Sequence, residues 1–195
     1  MLILNKNTSD FMRYFYILFL TIICYSCTSS SELKKDFPCD SSNSFQSLKE
    51  VNDIRSLFTM SLPKTWKVNL YYDNSLSSIY AADTTLNLTK TTLLDASIIH
   101  SPINLDKTFK EKITNDNKRM ELEELKTKNI QLFDKPTYYS LAKGKKGKFT
   151  YHILNVFTKV NSDNFMHIKT EIYGDSLVND RLCNAINLIE KIQVK

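Results

Sequence analysis

The chain has 195 residues, 42% of them hydrophobic and 24% charged, with a formal net charge of +5. Only three glycines and four prolines exclude a collagen-like or low-complexity chain. The mild positive excess, spread over many lysines, falls short of a nucleic-acid-binding footprint, so no nucleic-acid partner is expected. A chain of this size predicts one folded domain with additional segments, able to bury a core without a metal or many crosslinks.

Residues 1–12 include Met12, a second candidate start, directly before Arg13. The basic residue is followed by the apolar run 14–23 and then by Cys24-Tyr25-Ser26-Cys27. Spanning a bilayer core of about 30 Å takes around 20 apolar residues. The run is too short for that and reads as the core of an export signal, residues 1–26. Its end resembles the lipobox of bacterial lipoproteins, with Ser26 before the required cysteine, although Tyr25 is bulky and Cys24 replaces a leucine-like residue. The resemblance implies diacylglycerol and a palmitate-type acyl group on Cys27. The protein would then be anchored to the inner or outer bacterial membrane, facing the periplasm or the cell surface, and several acyl chains make such anchoring stable. Cleavage nearby by an ordinary signal peptidase, releasing a soluble protein, is the alternative.

Residues 27–47 are rich in Ser, Asn, Asp and Lys and predict a flexible tether. A single domain should occupy residues 48–195. Once Cys24 leaves with the signal and Cys27 is acylated, Cys39 and Cys183 remain, a disulfide candidate in an oxidising compartment. The bridge would close a loop of roughly 145 residues, worth about 4–5 kcal/mol in the chain-entropy model. Two independent thiols are the alternative, since spacing alone does not bring the Cα atoms together.

Leu48, Val51, Ile54, Leu57 and Phe58 are spaced loosely like one helical face, so a short helix or entry segment is expected there. Residues 58–63 alternate, placing Phe58, Met60 and Leu62 inward on a strand ended by Pro63. Further strands are expected at 66–72, 79–82 and 96–100. Asn104 is a candidate cap for a helix whose stripe is Leu105, Phe109 and Ile113. After an extended stretch over 122–133, strands at 138–142, 149–160 and 165–173 form an antiparallel meander, with turns at 144–147 and 161–164. Both faces of 149–160 are apolar, which predicts a central strand. His167, Lys169 and Glu171 on one face of 165–173 predict a strand nearer an edge. Gly174-Asp175-Ser176 offers caps for a last helix with Val178, Leu182, Ile186 and Ile189 buried.

That order of elements, with Phe58, Met60, Leu62, Pro63 and Trp66 at its start, resembles the Mog1p/PsbP-like superfamily over about residues 57–192. The resemblance implies an α+β fold, a three-layer α/β/α sandwich around one antiparallel sheet. It does not fix function, because members of the superfamily do unrelated things.

His100, His152 and His167 lack ligand spacing, and no paired Cys-x-x-Cys or His-Glu-x-x-His occurs, so neither metal nor cofactor is expected. The three glycines cannot build a nucleophile elbow, and the short Gly144–Gly147 turn cannot build a phosphate loop. The chain therefore reads as no enzyme. It reads as a lipid-anchored envelope binding module for a protein or small ligand, or alternatively as an assembly accessory of an envelope complex, with a cryptic hydrolase third. Lys143, Lys145, Lys146 and Lys148 form the one concentrated feature, a candidate contact for an anionic surface or simply a soluble turn.

Overall fold

The computed structural model describes residues 31–39, 45 and 47–195; the signal segment and Cys27 lie outside the described residues. The packed unit runs Ser31–Lys195, so residues 31–39 of the expected tether belong to the core. Glu32–Lys35 forms a one-turn helix, α1, capped by Ser31, whose hydroxyl accepts from the Lys34 N–H. Leu33 behind it is fully buried.

Two antiparallel sheets follow. The smaller consists of β1 (Leu48–Asn52), β2 (Phe58–Pro63) and β10 (Gln193–Val194), ordered β1-β2-β10. The larger has seven strands: β3 (Lys67–Tyr72), β4 (Leu76–Ala82), β5 (Thr92–Ile99), β6 (Glu123–Leu132), β7 (Lys135–Lys146), β8 (Phe149–Lys159) and β9 (Phe165–Tyr173). Its order is β3-β4-β5-β9-β8-β7-β6. Helix α2 (Lys107–Arg119) lies on one face, and helix α3 (Val178–Ile189) lies on the other with α1 and the small sheet. This is the three-layer α+β sandwich, with a small sheet added to one outer layer.

Strand alternation decides what each face carries. On the α3 side, Ile79, Leu94, Ala96, Leu154, Val156, Met166, Ile168 and Ile172 are all buried. They meet Phe58, Met60 and Leu62 of β2 and Leu182, Ile186 and Ile189 of α3, forming the main core. On the α2 side the apolar residues split into two clusters. One gathers Ile113, Tyr138 and Phe157 under α2, and the other gathers Leu122, Tyr151, Ile153 and Tyr173 at the far end of the sheet.

Several expectations are corrected. Residues 48–52 form strand β1 and not a helix: the strand is only half-buried, so its apolar residues follow no clean alternation. Strand β9 is the middle strand of seven, not near an edge. Its polar face is paired across the sheet instead of being solvated. The cap of α2 is Asp106, which accepts from the Phe109 N–H at 3.0 Å, two residues beyond Asn104. Helix α3 begins at Leu177 with φ +50° and has no side-chain cap, so neither Asp175 nor Ser176 caps it. Pairing in β7 and β8 continues to Lys146↔Phe149, which shortens the turn to Gly147-Lys148. Gly144 therefore lies inside a strand, where a Cβ would come within 2.6 Å of Leu122 Cδ2 and 2.7 Å of the Glu121 carbonyl oxygen. Only glycine lets the chain leaving α2 pass this close to β7.

Cys39 and Cys183 are joined by a disulfide with a Cα–Cα distance of 5.4 Å. The bond fastens the strap of residues 31–39 to α3. Phe37 packs on Tyr139, with ring centroids 5.7 Å apart. Asp36 accepts from the Tyr139 hydroxyl at 3.0 Å and from Lys128 Nζ at 2.7 Å. Glu32 Oε2 accepts the Gln131 N–H of edge strand β6 at 2.9 Å.

Reduction of the bridge should lower the unfolding free energy by about 4–5 kcal/mol. Denaturant melts of the oxidised protein, the reduced protein and Cys39→Ser check this, and a Cys39→Ser protein as stable as the oxidised wild type would contradict it. Gly144→Ala should cost about 1–3 kcal/mol by overpacking against residues 121–122, measured in the same melts.

Candidate functional site

The polar strip between the two clusters on the α2 side has its open part on β4, β5 and β9. Alternation brings Tyr80, Asp95 and Lys169 opposite one another on adjacent strands, with Asn155 of β8 beyond them. One rung further lies Glu171, and then Tyr151 and Tyr173 face each other. Toward β6 and β7 the strip is closed by α2, where Asn117 donates to Ser140 at 3.2 Å and Thr114 donates to Glu124 at 2.7 Å.

Glu171 is the hub. Its carboxylate accepts from the Tyr151 hydroxyl at 2.8 Å and the Tyr173 hydroxyl at 3.4 Å. Lys169 lies 3.6 Å away and Lys146 3.7 Å away. Lys169 also approaches Asp95 at 3.9 Å, and Ser97 donates to Asp95 at 3.1 Å. Lys146 sits over both rings, 4.9 Å from the Tyr151 centroid and 5.4 Å from that of Tyr173. Such cation–aromatic contacts favour a fixed ammonium.

Burial raises the Asp95 carboxyl above its ordinary range despite the opposing charge of Lys169. Burial and the hydrogen bond to Glu171 raise the Tyr151 hydroxyl, and burial raises that of Tyr80. Contact with the Tyr173 hydroxyl, together with the Glu171 charge, raises Lys146. They present donors and acceptors that are already oriented by one another.

The histidines are dispersed. His100 contacts Arg55 and Asn164 on loops. His167 stacks on Phe157 at 4.4 Å and donates from Nε2 to Asn155 Oδ1 at 3.0 Å. Burial, reinforced by Lys169, holds its imidazole down to about 4. Among the described residues no group of three His, Cys, Asp or Glu could hold a metal ion.

The four lysines of the hairpin are not one patch. Lys146 turns onto the tyrosine and Glu171 cluster, while Lys148 lies over the Phe149 ring at 5.4 Å. Lys143 and Lys145 alternate to the opposite face of β7 and are exposed. The Glu171 hub escaped the sequence reading, which took the charges of 165–173 as the mark of a strand nearer an edge. Tyr151 opposite Tyr173 was the available signal, since it becomes visible once the meander is put in register.

No protein-family profile matches the chain, and no curated protein matches it in sequence. In three dimensions it is similar to the solution structure of cyanobacterial PsbP (CyanoP) from Synechocystis, with TM-score 0.57 at 12% identity over 80% of this chain and 97% of that one. A Bacteroides thetaiotaomicron structure covers 75% of this chain and 48% of its own at 12% identity, TM-score 0.48. LpqN, involved in cell envelope biogenesis of Mycobacterium tuberculosis, covers 76% and 91% at 10% identity, TM-score 0.47. The fold is PsbP-like.

The His167 environment sets a pH dependence. Its folded value near 4 lies below the ordinary 6.5. The unfolded chain therefore binds the extra proton first, so stability is complete above about pH 6.5 and falls as pH drops toward 4. The loss from this residue should be about 2–3 kcal/mol, read as the difference between wild type and His167→Gln in urea melts from pH 7 to 4. Parallel pH profiles for the two proteins would refute it.

Proposed function

We propose that this protein is exported, held to the envelope through acylated Cys27, and works as a non-enzymatic binding module. The observation that carries the reading is the Cys39–Cys183 disulfide. It follows an export-type segment at close range in sequence, and such bridges persist in oxidising compartments. A lipid anchor on Cys27 would hold the domain a short distance from the bilayer, with α1 and the bridge as its first fixed points.

The open strip of Tyr80, Asp95, Lys169 and Glu171 is the contact surface for a polar partner. Its charges are already oriented by one another, so a partner meets donors and acceptors that need little reorganisation. A second reading, an accessory subunit that assembles by edge pairing, is favoured by β3. This strand ends the large sheet, and Leu70, Tyr71 and Tyr72 are 39%, 56% and 60% exposed. An uncovered apolar edge is a template for another strand.

Two measurements test this. Cells fed a clickable fatty acid should label the wild type and not Cys27→Ser, and label persisting in the variant rejects the anchor. A photo-crosslinking residue at position 80 should trap an envelope protein, whereas one at Lys107 on α2 should not. Adducts from position 71 alone would support the edge reading instead.

A further inference from the structure

On the opposite side of the sheet from the charged strip, the first turn of α3 stands over β6–β9 and leaves a cleft of about 100 Å³. Its walls are aliphatic, with Leu125, Leu141, Leu154, Ile172, Val178 and Leu182 around it. Leu125 reaches it from the irregularity in the β6–β7 register between Glu124 and Lys126. Two polar side chains, His152 and Thr170, interrupt this lining. They lie on adjacent strands and on the same face, since His152 is opposite Ile172 and Thr170 opposite Leu154.

Both are more than nine-tenths buried, and among the described residues His152 Nδ1 and Thr170 Oγ1 have no hydrogen-bond partner. A third buried atom in the same condition, Arg181 Nε, belongs to a residue that does not itself line the cleft but whose charge acts on His152. The Arg181 guanidinium is otherwise spent on carbonyl oxygens, those of Thr91 at 3.0 Å, Tyr173 at 3.1 Å and Gly174 at 3.4 Å. Carbonyls leave its positive charge uncompensated. Arg181 Nε can only donate and so lacks an acceptor, and Thr170 and the Nδ1–H tautomer of His152 can each donate to one as well.

The surrounding charge has the matching sign. Lys143 is opposite His152 on β7, and α3 begins without a side-chain cap, its Val178 and Asn179 lining the cleft. Helix N-termini favour anions. Burial, with the charges of Lys143 and Arg181, holds the His152 imidazole below its usual value, while Asp175 opposes them. Asp175 is itself engaged by the Thr150 hydroxyl at 2.8 Å.

We propose that the cleft binds a small monocarboxylic acid with a short aliphatic tail, the carboxylate accepting from Thr170 and His152 beside Arg181 and the tail packed against Leu154, Ile172 and Leu182. The volume is that of about three waters, enough for a few carbon atoms and too small for a long acyl chain. A buried anion needs both hydrogen bonds and a counter-charge, and this corner offers both. The inference adds a small-molecule site to the binding-module reading and does not depend on the partner surface of the other face.

The test uses the purified full chain, with isovalerate as probe and isoamyl alcohol and acetate as controls. Methyl and histidine-ring NMR spectra should show saturable shifts at Leu154, Ile172, Leu182 and His152 with isovalerate. Removing either half of the ligand should weaken binding about tenfold. Thr170→Val should weaken isovalerate by a similar factor while leaving the melting temperature equal or higher, and Val178→Trp, which fills the mouth, should abolish the shifts. Absence of shifts in the folded wild type, equal affinity for the alcohol, or binding that survives both variants would each overturn the proposal.

Discussion

The structure depends on the tie between Cys39 and Cys183. Residues 31–39 are too few and too polar to hold themselves in place, yet they fill two vacancies that the rest of the chain leaves. Leu33 and Phe37 close the core beside α3 and Tyr139. Glu32 and Asp36 meet the β6 edge and its lysines. Burial opposes ionisation of Asp36, but hydrogen bonds from Lys128 and Tyr139 outweigh it and hold the carboxyl below its ordinary range. The covalent link reduces the entropy that would otherwise favour release of the strap. One edge of the seven-stranded sheet is thereby covered, and among the described residues no strand pairs with the other edge, β3.

The sheet itself is asymmetric by design of its alternation. The α3 face is apolar from β4 to β8, and its packing supplies most of the hydrophobic driving force. The α2 face is apolar only at its two ends. Between them, Asp95, Lys169 and Glu171 satisfy each other across neighbouring strands. A middle strand can carry charge when it is met by complementary groups, and β9 is met by Asp95 of β5, Lys146 of β7 and the Tyr151 hydroxyl of β8, while Lys169 and Glu171 also pair with each other. Such a strip contributes little net stability, because desolvation offsets much of the attraction. Its consequence is orientation of these half-buried groups.

Much of the fold was legible in the sequence where burial was strong. Phe58, Met60 and Leu62 announce β2, the two apolar faces of 149–160 announce β8, and the spacing of Leu182, Ile186 and Ile189 announces α3. Weak burial was misread: Leu48 and Val51 mimic a helical face because β1 is only half-covered. Long-range satisfaction was invisible in the linear chain. Lys169 beside Asp95 is a contact across 74 positions, and Arg181 looks like a solvent residue of α3 until the carbonyls of Thr91, Tyr173 and Gly174 are brought around it. The Cys39–Cys183 pair was reachable by arithmetic, since only these two remain once Cys24 leaves with the signal and Cys27 is set aside for acylation. The candidate sites were not, because each is assembled from alternate residues of separate strands.

The same strands serve both surfaces. Along β9, His167, Lys169, Glu171 and Tyr173 face α2, while Ile168, Thr170 and Ile172 face α3 and the cleft. In β8, Tyr151 and Ile153 belong to one side and His152 and Leu154 to the other. A one-residue slip in pairing would exchange the two sets, placing Lys169 and Glu171 in the apolar core and exposing Ile168 and Ile172. Register is therefore held by the cost of burying those charges as firmly as by the core. The charged strip and the cleft cannot drift independently in backbone; either can change only by substitution of its own side chains. This separates the two surfaces chemically while fixing them to one rigid meander.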